Sequence, residues 1–218
     1  MKMLIGFITL FIGINCFGQT VSAKQSIADV LQDTSTGRII FFDDFNNNKN
    51  NWKVANNKDE ISRIDSGFYY LTAVGHAYGE EQEVKIDTRK DFQIETRIKI
   101  LRGNPDHKNY YSMLFWGREA MSSYYFTFAK DGFASVELCT SKNQRSCTIM
   151  NGSLQKTMLN PEDFNVYIVR KKGNMYSFFI NNTQFYQMPF APFFGNLIGF
   201  GAGRKMSLVI DYLKVIYL

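Results

Sequence analysis

The sequence predicts an all-β protein built from two packed antiparallel sheets, and three observations carry that expectation. The 218 residues include 20 Phe, 12 Tyr and 2 Trp but only 4 Pro, a stock of side chains that suits a pleated, half-buried surface better than a helix. From Ile39 onward the chain breaks into about a dozen short apolar runs bounded by turn residues, with no long segment of 3.6-residue period. The stretch Phe164–Tyr217 then reads as a meander. Three strand-like runs meet at turns Lys172-Gly173-Asn174 and Asn181-Asn182, and a Gly-rich bend through Leu197–Gly201 leads into a last strand.

The hydrophobic fraction of 45% supplies one sizeable core, so a single domain over 39–218 is expected. Before it, Met1-Lys2-Met3 and the apolar run Leu4–Ile14 read as a secretory signal over 1–18, too short to span a bilayer, with cleavage expected before Gln19. A lipoprotein signal would keep Cys16 as an acylated first residue, but Gly13-Ile14-Asn15 lacks the Leu and small residue such a signal supplies. Residues 19–38 are polar, with Ile27, Val30 and Leu31 at helical spacing, and are expected to form a tether.

Within the domain, Ile39–Phe45 reads as a first strand ending at the turn-rich Asn46–Trp52. Ile61–Ile64 and Gly67–Thr72 form a hairpin about Asp65-Ser66-Gly67. Gly75–Glu81 reads as a loop, with Glu83–Ile86 as the next strand. Phe92–Ile100 alternates: Phe92, Ile94, Thr96, Ile98 and Ile100 share one face, Gln93, Glu95, Arg97 and Lys99 the other. After the turn-rich 102–108, Tyr110–Trp116, Tyr124–Ala129 and Phe133–Leu138 read as strands. Asn160-Pro161-Glu162-Asp163 then breaks the chain before the closing meander.

Removing 1–18 lowers the formal net charge from +5 to +4, and the cations are interspersed with acids. Arg170-Lys171-Lys172 leads into a turn, so no nucleic-acid footprint is expected. In an exported chain, Cys139 and Cys147 are expected to form a disulfide closing the polar loop between them; two reduced thiols are the alternative.

Phe42-Asp43-Asp44-Phe45 with Trp52, Gly67-Phe68-Tyr69, the Phe92–Ile100 strand, Met113-Leu114-Phe115-Trp116, Arg170–Asn174, Phe179–Asn182 and Leu197–Gly201 together resemble a concanavalin-A-like lectin/glucanase jelly roll. Within that superfamily the chain is similar to the LamG-like and keto-disaccharide-hydrolase-like exported domains of Bacteroidetes. The likeness runs from about Ile39 to Val215. It implies a jelly-roll β-sandwich, and it spans lectins, glycosidases and interaction domains, so function must be argued from the site.

A glucanase of this kind would carry Glu-x-Asp-x-x-Glu on one strand, and that motif is absent. Glu95 is followed on its own face by Arg97, and Glu80, Glu81 and Glu83 read as solvated charge. His76 and His107 are loop residues without a visible catalytic partner. Asp43 and Asp44, with Asn46, offer oxygen ligands for a structural calcium, or simply a well-formed turn. The stronger signal is aromatic. A sugar stacks its C–H face on a ring while its hydroxyls bond to polar neighbours, and Tyr110, Tyr111, Trp116, Arg118, Glu119 and Tyr124 are the candidates for such a site; the alternative for Trp116 is core packing. The expected function is an exported, non-catalytic carbohydrate-recognition domain that binds no nucleic acid. The alternatives are a glycoside hydrolase of the same fold and a structural or protein-interaction domain without a sugar site.

Overall fold

The computed structural model describes residues 37–103, 111–141 and 145–218. The signal, the tether up to residue 36, Tyr110 and His107 lie outside them. Sixteen strands run in chain order: β1 (Arg38–Asp43), β2 (Ala55–Asn56), β3 (Glu60–Asp65), β4 (Phe68–Ala73), β5 (Tyr78–Glu83), β6 (Phe92–Arg102), β7 (Ser112–Glu119), β8 (Ser122–Phe128), β9 (Phe133–Ser141), β10 (Arg145–Ile149), β11 (Gln155–Lys156), β12 (Asn165–Lys172), β13 (Met175–Ile180), β14 (Thr183–Pro189), β15 (Leu197–Ala202) and β16 (Ser207–Tyr217).

They form two antiparallel sheets. The nine-stranded sheet has the order β14-β13-β12-β6-β16-β4-β3-β2, and β1 and β4 share one edge of β16 by pairing with its opposite halves. The seven-stranded sheet has the order β10-β9-β8-β7-β15-β5, with β11 pairing β9. Inner side chains of both sheets, among them Phe92, Ile94, Tyr176, Phe178, Leu208 and Leu213 from one and Leu114, Trp116, Phe126, Phe128, Val136 and Phe200 from the other, merge into one continuous core. This is the β-sandwich that the aromatic content and turn spacing predict.

β6 follows its alternation: Phe92, Ile94, Thr96, Ile98 and Ile100 are buried inside, and Glu95, Arg97 and Lys99 lie on the outer face. The β13–β14 turn has φ of 49° at Asn181 and 64° at Asn182, the left-handed pair that a two-residue hairpin of matching twist requires and that Asn tolerates.

Two segments differ from the sequence reading. Leu197–Gly201 lies in strand β15, which leaves the meander and crosses to the seven-stranded sheet, between β7 and the edge strand β5. Its outward positions are glycines, which mimic a bend because they supply no side chain to the alternation. Gly75–Glu81 likewise contains most of β5, an edge strand whose polar, Glu-rich run guards an unpaired backbone edge and hides its periodicity, while of the expected strand Glu83–Ile86 only Glu83 belongs to it.

Cys139 and Cys147 form the expected disulfide. They are direct cross-strand partners in β9–β10, and the ladder continues past them to Ser141 opposite Arg145. The bond therefore staples a hairpin, and closing so short a loop limits the unfolded ensemble by about 2 to 3 kcal/mol.

Candidate functional site

The outer face of the seven-stranded sheet is built in cross-strand rows. Registers place Glu81, Gly199, Phe115, Tyr125, Glu137 and Ile149 side by side across β5, β15, β7, β8, β9 and β10. The next row is Gly79, Gly201, Met113, Thr127 and Ser135. Phe115, Tyr125, Met113 and Cys139 pack together as a small apolar cluster separate from the main core.

Beside that cluster lies an open cleft of about 180 Å³, lined by Tyr78, Gly79, Met113, Phe115, Arg118, Tyr125 and Gly201 among others. The glycines make it. A Cβ at Gly201 would meet the Met113 side chain at 2.9 Å, and one at Gly199 would meet the Glu80 carbonyl at 1.9 Å, so β5, β15 and β7 approach as they do only because those positions are bare.

Arg118 reaches the face through a bulge. Simple alternation would put it on the same side as Trp116, but the register shifts between Trp116 and Glu119, where Gly117 has a φ of 61°. The guanidinium then lies over the Phe115 ring at 5.1 Å, donates to Glu81 at 2.7 Å and donates to the Ala120 carbonyl at 3.1 Å. Farther along the face, the Glu137 carboxylate accepts from the hydroxyls of Ser135 at 2.9 Å and Thr127 at 3.2 Å.

The same alternation removes two expected residues from the surface. Trp116 is fully buried and Tyr124 is 2% exposed. They stack on each other at 5.6 Å, Trp116 packs on Phe178 at 5.9 Å, and the Tyr124 hydroxyl donates to the Pro192 carbonyl at 3.1 Å. Neither ring offers a face to a sugar, because even positions of β7 before the bulge and of β8 point inward. Tyr111, just before β7, is half-buried, and Glu119 is exposed at the β7–β8 turn. Of the six expected residues, Arg118 lines the cleft.

Phe115, Tyr125 and Glu137 are not among the expected site residues, Glu81 reads in the sequence as solvated charge, and Gly199 and Gly201 read as part of a bend. A signal was present: Ser123, Tyr125 and Thr127 alternate with Tyr124, Phe126 and Phe128, so β8 carries two usable faces, and Gly199 with Gly201 keeps a period of two.

Asp43 and Asp44 organise their own loop. Asp43 accepts from the Phe45 amide at 2.9 Å, the Asn50 side-chain amide at 2.6 Å and the Trp52 indole at 2.8 Å. Asp44 accepts from the Asn46 amide at 3.2 Å and from its side chain.

Glu80 lies on the other side of β5, at the open edge between the sheets. Lys53 Nζ is 2.5 Å from Glu60 and 4.0 Å from Glu80, and donates to the Tyr78 hydroxyl at 2.8 Å, which in turn donates to Glu80. Burial pushes the Glu80 carboxyl up from its ordinary 4.5 to about 7; Lys53 opposes the rise, while Glu60 and Glu81 add to it. A carboxyl bound more tightly to its proton in the folded state favours folding in acid: the contribution is full below about 4.5 and is lost as pH rises through about 7. Thermal melts between pH 4.5 and 8 are expected to show this fall, and Glu80→Gln is expected to remove it, standing about 2 kcal/mol above wild type at pH 8, the full shift reduced by solvent screening of a half-buried group, and level with it at pH 4.5.

No protein-family model matches the chain, and neither does any curated protein. Solved structures do resemble it. The Bacillus licheniformis β-glucanase aligns with a TM-score of 0.58 at 11% identity, covering 84% of this chain and 99% of that one. The endo-β-1,3-glucanase of Pyrococcus furiosus aligns at 0.55 and 13%, covering 83% and 94%. A carbohydrate-binding module of Bacillus subtilis aligns at 0.50 and 13%, covering 73% and 91%. The chain has the concanavalin-A-like jelly-roll fold, a scaffold these glucanases share with a binding module.

Proposed function

We propose that this protein is an exported, non-catalytic carbohydrate-binding domain whose ligand lies in the cleft on the outer face of the seven-stranded sheet. The carrying observation is the cleft itself: a glycine-floored trough beside Phe115 and Tyr125, with Arg118 and Glu81 at its rim. Bare backbone admits a sugar ring close to the sheet, and the charged rim supplies orienting hydrogen bonds. The fold shared with a carbohydrate-binding module supports the same reading. The disulfide supports export, since such bonds persist in oxidising compartments; no helix among the described residues is long and apolar enough to cross a membrane.

The placement of the acids favours binding over cleavage. Glu81 and Glu137 stand four strand steps apart, roughly 19 Å at ordinary strand spacing, whereas a catalytic pair works at about 5 to 10 Å. Glu81 and Glu83 share the face of β5, but each is ion-paired, to Arg118 at 2.7 Å and Lys85 at 3.4 Å. Among the described carboxyls, that of Glu80 is the one raised to about 7, a range suited to acid catalysis, and it lies on the opposite side of β5 from Glu81.

A glycan array on the mature protein tests the proposal. Arg118→Ala is expected to weaken binding at least tenfold while changing stability by less than about 1 kcal/mol, since its ion pair is partly solvated. Release of sugar fragments by the wild type, abolished in Glu80→Gln, would establish an enzyme instead.

A further inference from the structure

We infer that the ligand of this cleft is a glycan without carboxylate or sulfate groups, one that offers hydroxyl or ammonium donors. This rests on the carbohydrate-binding reading above and narrows it. The chain as a whole is basic, with a formal charge of +5, yet the described part of the face presents mostly acceptors. Glu81, Glu83 and Glu137 all lie on it, and an ionised carboxylate accepts hydrogen bonds and donates none.

Among the described side chains, three cations on or beside this face already have partners. Arg118 is held by Glu81 at 2.7 Å and by the Ala120 carbonyl at 3.1 Å, with its plane over Phe115. Lys85 is held by Glu83 at 3.4 Å. Lys156, beyond the far edge of the cleft, donates to the Asp131 carbonyl and lies over the Phe133 ring. An anionic sugar would have to compete with Glu81 for the guanidinium and expose that carboxylate to a like charge. A neutral or amino sugar needs no such exchange: its hydroxyls or ammonium meet Glu137 and Glu81 as they stand, while the Ser135 and Thr127 hydroxyls already fix the Glu137 carboxylate in position. Preorganised acceptors of this kind select donor-rich ligands and penalise anions.

The experiment is calorimetric titration of the full exported chain with three oligosaccharide sets of equal length: neutral gluco-oligosaccharides, glucosamine oligomers and galacturonate oligomers, each at low and physiological salt. Neutral or glucosamine oligomers are expected to bind at least tenfold more tightly than galacturonates, with the gap narrowing at higher salt. Glu137→Gln is expected to narrow it further by improving galacturonate binding, and a thermal melt confirms that the variant is folded. Tightest binding by galacturonate oligomers would overturn the inference while leaving the carbohydrate-binding reading intact. Binding by none of the sets, nor by any glycan on the array, would overturn both.

Discussion

Trp116→Ala is expected to lower the free energy of unfolding by about 3 to 5 kcal/mol, the usual cost of deleting a fully buried large aromatic. The indole has no exposed surface and is enclosed by Tyr124, Tyr176 and Phe178 at ring separations of 5.6 to 6.3 Å. The neighbours are themselves large rings, Tyr124 on the adjacent strand β8 and Tyr176 and Phe178 on the facing sheet, so they cannot collapse into the space without moving a strand or a sheet. Urea unfolding followed by the fluorescence of Trp52, the other tryptophan, reads the loss directly; Trp116→Phe, which keeps a ring in the cavity, should recover more than half of it. The functional consequence is a control. Glycan binding by Trp116→Ala should track its folded fraction and be lost only as it unfolds, whereas the loss in Arg118→Ala persists in a fully folded protein. A Trp116→Ala variant as stable as wild type would mean that the ring is not in the core.

The contrast between Trp116 and Arg118 shows what was legible in the residues and what was not. The sandwich was legible because its signals are local: Asn181-Asn182 can adopt the left-handed turn, and Phe92–Ile100 declares its faces by alternation. The site is a cross-strand property. Phe115 and Tyr125 become neighbours only through the β7–β8 register, and Gly199 meets Phe115 only because β15 crosses to the other sheet. The bulge at Gly117 decides which side chain of Trp116 and Arg118 faces out, and a single inserted residue is invisible to a two-residue period. Glycines that floor a cleft and glycines that turn a chain also look alike until the strand around them is known.

The second large effect lies on the opposite surface, where the outer face of the nine-stranded sheet carries charge at unusual depth. Lys214 is 1% exposed, and its ammonium lies 3.1 Å from Glu95, which also accepts from Gln93 at 2.7 Å and Tyr212 at 2.8 Å. Removing one partner of a buried pair strands the other, at a cost of about 3 to 5 kcal/mol, whereas replacing both is often close to neutral. Lys214→Met is therefore expected to be strongly destabilising, and Lys214→Met with Glu95→Gln to recover at least half of the loss, because the amide can still accept from Tyr212 without an uncompensated charge. Urea unfolding of both single variants and the double variant closes the cycle. Glycan binding should be unchanged in every variant that remains folded, since the pair lies across the core from the cleft. Simple additivity of the two single losses would show that Lys214 and Glu95 are not coupled, and that the outer charges of this sheet contribute separately to its stability.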